Sequence, residues 1–205
     1  MISINAKIIE DLFASEKVRI DNQIALKKAQ LYYFQNNPTH SVNRVQIPLE
    51  LTPNQINYLT LLYNEFEKIV KAKPSTIDDF RIAFDGIIPG TQMKSIANIE
   101  FRNELIKRLG YSELRDNFYP EYFEKTGIKT CVYCNSQLAL TVRIVGGPRK
   151  AKFQIDHYYP KSEYPCFSIS FYNLYPVCGP CNNSKSASQI NFNLYSDNWS
   201  EYSKS

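Results

Sequence analysis

Two Cys-x-x-Cys pairs, Cys131/Cys134 and Cys178/Cys181, flank a single Asp156-His157 step. Cysteines two residues apart present both sulfurs to one ion, and four thiolates fill the tetrahedral shell of a structural Zn²⁺. In a reducing compartment such pairs hold metal more readily than they close disulfides. The four cysteines are therefore read as one structural Zn²⁺ site, against the alternatives of buried thiols or a redox pair. Cys166 stands apart from both pairs and reads as a buried structural thiol.

Between the pairs lie groups suited to a different chemistry. A neutral imidazole at His157 can take the proton from a water near pH 7. Asp156 is a hard oxygen donor, and Asn182 offers a second through its amide oxygen; both favour Mg²⁺ or Mn²⁺ over softer ions. Asn182 has a plainer reading as a helix-start residue that caps its own backbone, and Asn183 is a rival for the ligand role. Phosphodiester hydrolysis needs what these groups could supply: an activated water and compensation of the charge that develops on phosphate. Lys161 and Lys185 are candidate phosphate contacts, with Arg143, Arg149, Lys150 and Lys152 extending a basic surface. A lysine on a helix surface ordinarily serves only solubility, which is the alternative for Lys185. His40 lacks such company and reads as a loop histidine.

The succession CVYC, QIDHYYPK and NLYPVCGPCNNSK resembles the HNH endonucleases, the zinc-bearing branch of the ββα-metal nuclease superfamily, over roughly a third of the chain. That resemblance implies a strand ending in Asp156-His157, a loop carrying Asn173, and a helix opening at the last zinc cysteine with Asn182 and Lys185. The family's third position is usually His; here it reads Asn, as in other members of the superfamily. By the same resemblance Asn173 holds the loop behind His157, and one Mg²⁺ bridges the scissile phosphate and the leaving 3′ oxygen, leaving 5′-phosphate and 3′-hydroxyl ends. Small HNH proteins with a separate helical region are similar to nucleases of bacterial self-defence and antiphage systems, some of which act beside an ATPase. The implied partners are nucleic acid, DNA ahead of RNA, and a partner ATPase or other protein met through the helical region. A second reading is a zinc-stabilised nucleic-acid or protein binding module without cleavage; a Cys-x-x-Cys oxidoreductase is a third.

These groups must be positioned by local elements. Residues 138–145 and 151–156 alternate and are β-prone around Gly146-Gly147-Pro148, which predicts a hairpin with Asp156-His157 at its exit. Residues 162–172 read as a loop, and a helix should begin near Cys181. The aromatics Tyr158, Tyr159, Tyr164, Phe167, Phe171, Tyr172 and Tyr175 could stack on bases, but packing over the zinc unit is the simpler use.

Upstream, a helix is predicted over 6–34, broken at Asn36-Asn37-Pro38, followed by an extended stretch over 41–49. Thr52-Pro53-Asn54-Gln55 is a capping box with proline at the first helical position. Ile56, Leu59, Leu62, Phe66, Ile69 and Val70 follow on one face, and Pro74 stops the helix. A short helix starts at Ser75 and Asp78, Pro89-Gly90 turns, a third helix stops at Gly110, and a fourth over 112–125 ends at Gly127. The expected class is α+β: a helical domain over 1–124, a zinc-stabilised ββα-metal module over 125–190, and a tail over 191–205.

The chain has 205 residues, 43% of them hydrophobic and 21% charged, an ordinary globular composition. It has no run of eighteen apolar residues and no secretory pattern at its start, so a cytoplasmic protein without a membrane helix is expected. Net charge is +4, unevenly spread: residues 1–124 carry 15 Lys and Arg against 16 Asp and Glu, whereas 125–188 carry 8 against 2. The positive excess thus falls on the segment with the metal motifs, as contact with a phosphate backbone requires.

Overall fold

The computed structural model describes residues 3–143, 145–147, 149–185 and 193–196. Through α7 the order is β1 (Ile4–Asn5), α1 (Lys7–Ser15), α2 (Lys17–Asn36), β2 (Thr39–Val42), β3 (Val45–Pro48), α3 (Pro53–Asn64), α4 (Phe66–Val70), α5 (Pro74–Asp85), α6 (Gly90–Met93) and α7 (Ile99–Arg108). There follow α8 (Tyr111–Asn117), α9 (Tyr119–Thr126), β4 (Thr141–Arg143), β5 (Arg149–Ala151), β6 (Gln154–His157), β7 (Leu174–Val177), α10 (Gly179–Lys185) and β8 (Tyr195–Ser196). The class is α+β, as expected. Strands pair two by two: β1 with β8 in parallel, and β2 with β3, β4 with β5 and β6 with β7 antiparallel.

Two compact units divide the described residues. The first draws on Met1–Lys17, Ser112–Tyr158 and Phe171–Ser205, and the second on Val18–Tyr111 and Tyr159–Ser170. The boundary drawn at 124/125 therefore falls inside α9, within the first unit. Aromatic packing explains this, because the helices before that boundary carry rings that meet rings well after it. Phe13 of α1 lies 5.1 Å from Phe171 and 6.1 Å from Tyr172, and Tyr122 of α9 lies 5.0 Å from Phe171. Each such pair adds about 0.5–1.5 kcal/mol beyond burial.

The short β8 closes the same core. Its Tyr195 ring is 5.4 Å from both Tyr172 and Tyr175, and its hydroxyl donates to the Leu174 carbonyl at 2.8 Å. Beside it, the Leu194 N–H donates to the Tyr175 hydroxyl at 2.8 Å, and the Ile4 N–H to the Leu194 carbonyl at 2.7 Å. Part of the segment read as a tail is thus structural; the rest of 191–205 lies outside the described residues.

In the second unit the capping box forms: the Thr52 hydroxyl accepts from the Gln55 N–H, and the Gln55 side chain accepts from the Thr52 N–H. Leu59, Leu62, Phe66, Ile69 and Val70 are buried as expected. Ile56 is 46% exposed, and Tyr58 takes the inward position, its ring 4.5 Å from Phe84 and 5.9 Å from Phe101. Pro74 starts α5 rather than stopping its predecessor, since a missing N–H costs nothing at the first helical position. The long helix predicted over 6–34 is two helices parted at Glu16, whose φ of −108° leaves the helical range. Residues 39–48 form a hairpin whose turn places Asn43 and Arg44 at φ of 50° and 68°. His40 is therefore a strand residue opposite Ile47, with Nδ1 3.7 Å from a Glu100 carboxylate oxygen.

β4 and β5 form the predicted hairpin, but its second strand stops at Ala151; Ile144 and Pro148 lie outside the described residues. Asp156 and His157 end a separate strand, β6, paired with β7. The sequence hides β7 because Leu174, Tyr175, Pro176 and Val177 are all buried, so no alternation marks it. Residues 162–172 hold the 3₁₀ turn Pro165–Phe167 and lead into a second, Phe171–Asn173. Their aromatics pack rather than reach for solvent: Phe167 sits 6.1 Å from Phe84 in the second unit, while Phe171 and Tyr172 belong to the first. No described helix is long and apolar enough to cross a membrane.

Candidate metal centre and acid–base site

Cys131 and Cys134 occupy a tight turn. The Asn135 N–H donates to the Cys131 carbonyl at 2.9 Å, the Cys131 N–H to the Gln137 carbonyl at 2.8 Å, and Asn135 takes φ of 53°. Cys178 directly follows β7 and Cys181 lies in the first turn of α10, where the Asn182 N–H donates to the Cys178 carbonyl at 3.0 Å. The Val132 N–H reaches the Pro176 carbonyl at 3.3 Å, which ties the first turn to β7. All four sulfurs lie within 4.8 Å of one another, and Cys134 Sγ is 4.0 Å from Cys178 Sγ. A Zn–S bond of about 2.3 Å in a tetrahedron requires sulfur separations of about 3.8 Å, so the cluster fits such an ion with a small contraction.

The thiols are tuned unequally. Backbone N–H groups of Ser136 and Gln137 aimed at its sulfur pull Cys134 down to about 6, which favours the thiolate that binds metal. Hydrogen bonding with the Cys178 thiol pushes Cys181 up to about 12. Cys166 is buried in the second unit, where burial raises its thiol well above the usual value, in keeping with an inert structural role.

Asp156 and His157 are each 6% exposed at the end of β6, opposite Tyr175 and Leu174. Asp156 Oδ2 accepts a hydrogen bond from the Tyr133 hydroxyl and pairs with Lys185 Nζ at 2.9 Å. The same ammonium donates to the His157 carbonyl at 2.8 Å. Burial, then the Asp156 charge, raises the Tyr133 phenol well above its usual value, so it is a donor across the working pH range. Asn173 is wholly buried, and its carbonyl accepts from the Tyr158 N–H at 2.8 Å directly after His157.

Asn182 is placed differently from the sequence expectation. Its Nδ2 donates to Gln154 Oε1 at 2.6 Å. Gln154 and Asp156 lie on one face of β6, about 7 Å apart by strand geometry, so the described contact of Asn182 is one step along the strand from the carboxylate. Asn183 is exposed. The helix residue that meets Asp156 is Lys185, four positions after Cys181 and one turn further along α10. Lys161 belongs to the second unit, with its ammonium 4.1 Å from the centre of the Tyr111 ring.

The basic hairpin is partly neutralised. Arg149 pairs with Glu121 at 2.8 Å and Glu124 at 2.9 Å, and Arg143 approaches Glu124 at 3.6 Å. Lys150 and Lys152 are exposed. Tyr133 and Gln154 escaped the sequence reading. Tyr133 stands between two cysteines of the cluster, and only its hydrogen bond to Asp156 gives it a role. Compared with known protein families, curated proteins and solved structures, the chain matches none.

Proposed function

We propose that this protein is a metal-dependent endonuclease of the HNH kind that hydrolyses nucleic-acid phosphodiester bonds, with DNA ahead of RNA as substrate. One observation carries the proposal: Asp156, the His157 segment and Lys185 converge at the end of β6, beside a four-cysteine cluster that clamps β7 and α10. In this reading Asp156 and Asn182 hold one divalent ion through oxygen, Asn182 turning from Gln154 to do so. Once bound, that ion supplies Lewis-acid compensation of charge on the phosphate and leaving oxygen. His157 takes the proton from the attacking water, a contribution of about 10²–10⁴-fold. Asn173 is a positioning residue that fixes the chain behind the imidazole, and exposed Lys150 and Lys152 meet phosphates.

The four thiolates hold Zn²⁺ for structure, so that a small ββα unit needs no large core of its own. A second reading has a specific observation in its favour. The Asp156 carboxylate is already neutralised by Lys185, as suits a zinc-stabilised binding module with no further ion. Nicking of supercoiled plasmid by the zinc-loaded protein with Mg²⁺ separates the two. The enzyme reading requires cutting by the native chain and loss of cutting in His157→Ala; equal cutting by both sinks it, and DNA binding without cutting by either selects the second reading. Action beside a partner such as an ATPase belongs to the same proposal, motivated by the helical second unit, and fails if adding the candidate leaves nicking unchanged.

A further inference from the structure

We infer that Lys185 is a tethered counter-cation for Asp156, holding the carboxylate when no divalent ion is present and competing with that ion for it. The inference rests on the proposed function, in which Asp156 binds the ion. Lys185 Nζ lies 2.9 Å from Asp156 Oδ2, and both side chains are 8% exposed. Oδ2 also accepts from the Tyr133 hydroxyl. A carboxylate oxygen that already carries an ammonium and a phenol has little lone-pair density left for a hard cation. A second positive charge at that distance also repels the first, with little water present to screen the pair.

Both partners of Asp156 are anchored by the cysteine cluster. Tyr133 sits between Cys131 and Cys134, and Lys185 shares a helical face with Cys181 four residues before it. The clamp therefore sets where the ammonium stands, while the flexible four-carbon stem of lysine allows it to leave without disturbing α10. An arriving phosphate offers the ammonium new acceptors, and the ammonium's departure reopens one position on Oδ2 for the ion while the Tyr133 bond stays. The lysine thus couples ion binding to substrate binding: the ion alone binds weakly, and the ion with phosphate binds well.

Mn²⁺ binding to the zinc-loaded full chain, followed by the electron paramagnetic resonance signal of the free ion, tests this. Lys185→Gln should bind Mn²⁺ about tenfold more tightly than the native chain, a difference of about 1.4 kcal/mol. Lys185→Arg should match the native chain, and Asp156→Asn should lose the site. Retention of one zinc per chain shows that the clamp is intact, and Lys185→Met supplies a second neutral side chain if Lys185→Gln loses its zinc. Equal or weaker binding in the neutral variants, with an Asp156-dependent site present in the native chain, overturns the inference and leaves the proposed function standing. Absence of any Asp156-dependent Mn²⁺ site in both the native and the neutral chains overturns both.

Discussion

Replacing Asp156, itself buried, by alanine removes the acceptor shared by two donors at once. Lys185 Nζ, 2.9 Å from the carboxylate on a side chain 8% exposed, loses its counter-charge, and the Tyr133 hydroxyl loses its acceptor. Breaking a buried ion pair by removing one partner costs about 3–5 kcal/mol, because the orphaned charge stays out of water. The phenol's bond to a charged acceptor is worth about 1.5–3 kcal/mol, and it overlaps the first term because both donors share Oδ2. We predict a loss of about 4 kcal/mol for Asp156→Ala. In the double variant Asp156→Ala/Lys185→Met no buried charge is stranded, so the loss should shrink to about 2 kcal/mol, about half that of the single variant. Urea unfolding of the zinc-saturated protein at neutral pH, followed by far-ultraviolet circular dichroism, measures both. A single variant within about 1 kcal/mol of the native chain, or a double variant no more stable than the single, refutes the buried pairing of Asp156 with Lys185.

Four further outcomes follow from the geometry. Gly110→Ala should lose about 2–4 kcal/mol, because φ is +70° and the added Cβ would push against the side chain of Lys27, which is buried and has little room to give way. Gly127→Ala, at φ of +74° with nothing within 4 Å, should lose only about 1 kcal/mol, and equal losses in a thermal scan would contradict this contrast. Thr52→Ala removes the capping box of α3 and should cost about 1 kcal/mol in the same assay. In DNA binding across a salt series, Lys150→Ala and Lys152→Ala should each lower the slope of log affinity against log salt by about 1, whereas Arg149→Ala, already paired with Glu121 and Glu124, should leave it nearly unchanged.

Local chemistry at fixed spacing was legible in the sequence. The four cysteines meet because each Cys-x-x-Cys pair is itself a turn, and Asp156-His157 end a strand as expected. Thr52 and Gln55 cap a helix, and Gly110 and Gly127 follow helices at positive φ, because these are short-range requirements. Features that depend on what lies across space were not legible. Strand β7 is buried on both faces and shows no alternation, and the β2–β3 turn takes positive φ at Asn43 and Arg44 without the glycine that normally signals it. A lysine on a short polar helix looks solvated until β6 brings a carboxylate to it, and nothing local marks the tyrosine between Cys131 and Cys134 as a partner of that carboxylate. The interleaving of the two units is likewise invisible locally, since it rests on rings such as Phe13 and Phe171, far apart in the chain.

The most direct measurement is cleavage of end-labelled duplex DNA by zinc-loaded protein, with Mg²⁺ withheld and then restored, for the native chain, His157→Ala and Asp156→Asn side by side. Cutting is expected only by the native chain, only after Mg²⁺ is restored, and with one zinc retained in all three proteins. Cutting by either variant at the native rate, or no cutting of DNA or of a matched RNA by the native chain, contradicts the proposed function.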